Sequence, residues 1–136
     1  MKIEQQEKNK NDLQSNFLAG IEFQKTGRNT GFKALSDEFY SLGQSCFKKA
    51  LKNCTVDSTK QEIELYAVLT DVYRNNPKKA LKNLEDVSKP ASVSKKSVQL
   101  THFMKASCYK LLKDDQNYLK EKELITQADF LETLNK

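Results

Sequence analysis

The chain has no tryptophan, one histidine, two prolines and four glycines in 136 residues. Gly and Pro punctuate the turns of sheets, so their scarcity leaves little room for a many-stranded sheet. No apolar run approaches the ~18 residues of a membrane span, and no membrane partner is expected. The opening MKIEQQEKNKNDL lacks the apolar core of a secretory signal, and Glu4 and Glu7 argue against a mitochondrial presequence, a class poor in acids. Three cysteines without a signal segment suggest free thiols in a reducing compartment, so the expected address is cytoplasmic or nuclear.

Thirty-eight per cent hydrophobic and 30% charged residues suit one helical domain with a single core. The net charge of +5 is unevenly placed. Residues 48–113 carry fourteen basic and six acidic side chains, whereas residues 114–136 carry three and six. A basic block of this kind is either a set of solvated helix faces or an electrostatic footprint for an acidic partner.

Residues 1–10 are polar and aperiodic and are expected to be a disordered leader, with residues 11–136 forming one helical domain. Apolar residues at helical spacing place helices at about 11–25, 32–54, 59–75, 77–88, 95–113 and 116–134. Thr26 to Gly31 reads as a loop by composition. Phe32, Leu35, Phe39, Leu42 and Cys46 make a near-heptad ladder along the second helix, with Gly43 and Phe47 beside it. Ser58 and Gln61 have capping-box spacing at the start of the third. That helix, with Ile63, Leu65, Tyr66, Val68, Leu69 and Val72, is apolar nearly all round and is expected to be the most buried. Pro77 is pre-set for a first helical turn, so Asn75-Asn76-Pro77 folds the fourth helix back on the third. Asp114 and Asp115 suit a helix start, and Thr126 to Asp129 offers a second start further on.

The second and third hairpins superpose on each other. Tyr66-x2-Leu69-Thr70-x2-Tyr73 matches His102-x2-Lys105-Ala106-x2-Tyr109 at an offset of 36, and Ala80-x3-Leu84-x2-Val87 matches Tyr118-x3-Lys122-x2-Ile125 at 38. At these residues the chain resembles the tetratricopeptide repeat (TPR) family, whose first helix carries Leu-Gly and Tyr and whose second carries Ala and Phe. It departs from that pattern in lacking the family's Trp and in placing Lys105, Tyr118 and Lys122 where Leu, Ala and Phe are usual. The resemblance implies an all-α, TPR-like α-α superhelix of about three antiparallel hairpins. It also implies a non-enzymatic protein–protein interaction module: an adaptor, a chaperone or a small subunit of an assembly.

In that family the first helices line the groove that takes a partner segment. Carried over, the groove residues are Phe17, Ile21 and Gln24 from the first hairpin; Glu64, Ala67, Asp71 and Arg74 from the second; and Leu100, Phe103, Ser107 and Lys110 from the third. The implied partner is a protein or peptide with hydrophobic and acidic residues, and the family's carboxylate clamp is not expected. The alternative is a basic helical nucleic-acid-binding protein acting through residues 48–113. Its lysine pairs 48/49, 78/79 and 95/96 are accompanied by only two arginines and no interleaved aromatics, the types that read and stack bases.

No catalytic, metal or cofactor site is expected. Cys46 and Cys54 lie about 12 Å apart along one expected helix, too far for a shared zinc ion with Cys108 and His102. Cys108 and His102 point about 240° apart on theirs, which rules out a nucleophile–base pair.

Overall fold

The computed structural model describes residues 2–136, without the side chains of residues 2, 3, 5 and 6. It is all-α, with no strand among the described residues. The helices are α1 (Lys2–Asn29), α2 (Lys33–Lys52), α3 (Asp57–Tyr73), α4 (Pro77–Glu85), α5 (Lys95–Leu111), α6 (Asp115–Glu123) and α7 (Ala128–Asn135).

α1 overruns its expected bounds at both ends. Residues 2–10, expected as a disordered leader, continue the helix; Met1 lies outside the described residues. Glu, Gln and Lys are strong helix formers, so a helix nucleated by its packed half extends through them without an apolar stripe. At the other end Thr26 and Gly27 are helical rather than a loop. Gly27 answers to packing: a Cβ there would come within 2.9 Å of the Tyr40 ring, and Ser36 Oγ donates to the Gly27 carbonyl at 2.7 Å. Gly20 faces the Phe47 ring in the same way, a Cβ on it reaching 2.5 Å from that ring, so α1 and α2 cross closely.

α3 starts at Asp57, one residue before the expected capping box, and Val56 at its N-cap makes no side-chain bond. Ser94 caps α5 by accepting from the Ser97 N–H, and Asp114 caps α6 by accepting from the Asn117 N–H. The expected last helix divides at residues 124–127 into α6 and α7.

The second and third hairpins share one geometry. α3 and α5 each have 17 residues, α4 and α6 each have nine, and every boundary is offset by 38. The turns correspond as well. Asn75 (φ 62°) and Lys113 (φ 59°) both adopt the left-handed conformation that ends a helix. Asn76 N–H returns to the Asp71 carbonyl, and Asp114 N–H to that of Tyr109, each at 2.9 Å.

Each new hairpin leans on the one before. α3 packs on α1 and α2, α5 packs on α3 and α4, and α7 packs on α5. α3 carries more fully buried side chains than any other described helix. One core joins its Leu65, Val68 and Leu69 to Met104 and Cys108 of α5 and to Ile125 and Leu134. A smaller core holds Phe47, Ala50 and Ile63, with Leu13, Phe17 and Ile21 of α1 beside them. Tyr66 touches both.

Candidate functional site

Glu64, Ala67, Asp71 and Arg74 are spaced by three, four and three residues and share one face of α3. α2 and α4 stand on either side of that face and leave an open groove. Its α4 half has a volume of about 240 Å³ and includes Glu64, Ala67, Asp71, Asn83 and Asp86 in its lining. Its α2 half has a volume of about 540 Å³ and includes Ser41, Lys48, Ala67 and Arg74. Gln44, Leu51 and Ala67 belong to both halves, so the two are continuous. The small Ala67 side chain keeps the floor open, while Gln44 Nε2 donates to the Ala67 carbonyl at 3.1 Å and fixes α2 against α3.

The charges divide along the groove. In the α4 half the charged residues are Glu64, Asp71 and Asp86. The buried Asp71 carboxylate accepts from Asn83 Nδ2 at 3.0 Å and has Lys79 Nζ at 3.8 Å. Glu64 accepts from Ser88 Oγ at 2.6 Å. In the α2 half the charged residues are Lys48 and Arg74. Arg74 is held in place, its Nη2 donating to Ser41 Oγ at 3.0 Å and to the Asp37 carbonyl at 3.1 Å, with its guanidinium 5.6 Å from the centre of the Tyr40 ring. Burial raises the Tyr40 hydroxyl pKa, with Tyr73 adding to it.

The other residues carried over from the family lie elsewhere. Phe17 meets Tyr66 edge-on at 5.4 Å, and Ile21 lies against the smaller core. Gln24 is buried and donates to the Tyr66 carbonyl at 2.8 Å and to Thr70 Oγ1 at 2.9 Å. Leu100 and Phe103 are buried, Phe103 stacking on Phe130 at 4.6 Å. Ser107 Oγ donates to the Phe103 carbonyl, and Lys110 Nζ to that of Leu134.

The α5 residues part from the groove because of register. A helix turns about 100° per residue, so matching α5 to α3 at 36 instead of 38 rotates the match by roughly 200°. At 38 the counterparts of Glu64, Ala67 and Asp71 are His102, Lys105 and Tyr109. Lys105 and Tyr109 do line a cleft of about 520 Å³ between α4 and α5. His102 Nδ1 lies 2.7 Å from Glu121 Oε2 and ties α5 to α6. The α3 groove therefore opens on the side of the second helices α2 and α4, while Phe17 lines a separate cleft of about 740 Å³ between the first helices α1 and α3, with Leu13, Thr59 and Glu62. Carrying the family's positions onto α1, α3 and α5 leaves out Gln44, Lys48 and Leu51, although their spacing of four and three on α2 marks a common face.

All three cysteines are free, and Cys54 and Cys108 belong to different cores. Burial pushes the Cys108 thiol up to about 11, with Asp71 adding to the effect. Among the described residues no three His, Cys, Asp or Glu side chains are grouped to hold a metal ion. No described helix is long and apolar enough to cross a membrane. Comparisons with protein-family models, curated proteins and solved structures gave no match.

Proposed function

We propose that this chain is a TPR-like, non-enzymatic protein-interaction module that takes a partner segment in the groove floored by α3. The observation that carries the reading is the open groove itself. It has a small apolar floor at Ala67, flanked by Leu51 and Val68, and fixed walls. Its charges fall into a basic half and an acidic half. Such a surface suits a short hydrophobic segment whose acidic residue meets Lys48 and Arg74. The 38-residue offset between the second and third hairpins and the packing of each hairpin on its predecessor support the TPR-like reading.

The test is to select peptides from a random display library against the full chain, then measure their affinity for three variants. Lys48→Glu reverses the basic wall, Ala67→Leu fills the floor, and Lys95→Glu alters an exposed lysine outside the groove lining. Expected are peptides with apolar and acidic residues that bind at least about tenfold more weakly to the first two variants and unchanged to the third. Equal binding to all three variants overturns the site. Preferential capture of an oligonucleotide, with affinity falling steeply as salt rises, would favour the nucleic-acid reading of the basic block.

A further inference from the structure

Beside its buried face, α2 carries a second apolar stripe that the hairpins cover only in part. Tyr40, Gly43, Phe47 and Ala50 are buried. Leu35, Phe39, Leu42 and Cys46, spaced by four, three and four, form a stripe about 90° round the helix from that face, with Phe39 and Cys46 half-buried. Leu35 and Leu42 are 44% and 43% exposed, and Phe32, just before the helix, is 70% exposed. Phe23 of α1 stacks on Phe39 at 6.4 Å and widens this face. At the opposite end α7 lays Phe130 on Phe103 and buries Leu134, although Leu119 and Leu124 stay exposed there.

We propose that this face of the first hairpin joins two copies of the chain, with α2 packed antiparallel on α2 about a two-fold axis. The charges beside the stripe favour a second copy as the occupant. Glu38 and Lys49 are exposed, sit on the same flank of α2 and form no ion pair with any described residue. In the antiparallel register that sets Leu42 of one copy against Cys46 of the other, Glu38 of each copy comes beside Lys49 of its mate. A parallel arrangement would put this flank of the two copies on opposite sides of the seam, so Glu38 and Lys49 would not meet. A two-fold contact closes on itself and stops at the dimer. A seam of about three helical turns is a small interface, so the dimer is expected to be weak and concentration-dependent.

This surface lies outside the α3 groove, so its test is independent of the peptide reading. Sedimentation equilibrium on the full chain across a broad concentration range should show a monomer–dimer equilibrium. Leu42→Glu should weaken it at least about tenfold, with far-UV circular dichroism unchanged because the side chain is half exposed. Glu38→Lys should weaken it about threefold or more, and adding Lys49→Glu to that variant should restore it. The proposal is overturned by a chain that stays monomeric, by a dimer indifferent to Leu42→Glu, by failure of the charge swap to restore association, or by growth into larger oligomers.

Discussion

Replacing Gly20 by alanine sets two effects of similar size against each other. In a helix interior alanine is better than glycine by about 1 kcal/mol, so propensity alone makes the change stabilising. Packing opposes it. A Cβ at this position would lie 2.5, 2.7 and 3.0 Å from three atoms of the Phe47 ring, where carbon pairs are comfortable at about 3.5–4.0 Å. The ring must retreat by about 1 Å, yet Phe47 is only 1% exposed and Phe17 is close by, 6.1 Å between ring centres. Overpacking of this kind costs about 1–3 kcal/mol. The expected outcome is a net loss of about 1 kcal/mol, read as a lower urea midpoint at unchanged slope by circular dichroism. The interaction is isolated in a Phe47→Leu background, where the clashing ring is gone. There Gly20→Ala should be neutral or stabilising by up to about 1 kcal/mol, giving a coupling of about 1–3 kcal/mol. Gly31→Ala is the control, because nothing lies within 4 Å of the Cβ it would add. A stabilising Gly20→Ala in the wild-type background, or no coupling to Phe47, would refute the close crossing of α1 and α2.

Phe103→Ala should cost about 3–5 kcal/mol in urea unfolding, because the ring is buried and stacked on Phe130; a loss below about 1 kcal/mol would put it outside the core. Lys113→Gly should stabilise by about 0.5–1 kcal/mol in the same assay, since it removes left-handed strain from a non-glycine residue at a helix end, and a destabilised variant would contradict that backbone. Cys108 should react with thiol reagents only on unfolding, after Cys46 and Cys54, as mass spectrometry of partly labelled protein would reveal. Burial raises the Cys108 thiol and the Tyr40, Tyr73 and Tyr109 hydroxyls above their ordinary values. The unfolded chain then binds fewer protons than the folded one in alkali, so stability should fall from about pH 9 to about pH 11; a flat profile of urea midpoints would contradict this.

Helix positions and the turn at Asn75-Asn76-Pro77 were legible in the sequence because they rest on local terms: apolar period, proline geometry and acidic first turns. The apolar girth of Ile63 to Val72 marked α3 as the interior helix, since few arrangements hide every side of a helix. Three features were not legible. The leader joined α1 because helix propensity carries no apolar signal. The repeat offset of α5 was hidden because identities such as Tyr73 with Tyr109 favour 36, and only the turns at Asn75 and Lys113 align the helices at 38. The burial of Leu100 and Phe103 followed from that register, since roughly 200° of rotation exchanges a cleft wall for the core. The ladder on α2 was visible as a pattern, but its neighbour was not. A heptad stripe has the same spacing whether it meets another helix or water. Only the tertiary structure decided that Phe47 and Gly43 face inward while Leu42 and Leu35 do not, because close contact with α1 needs the glycine side.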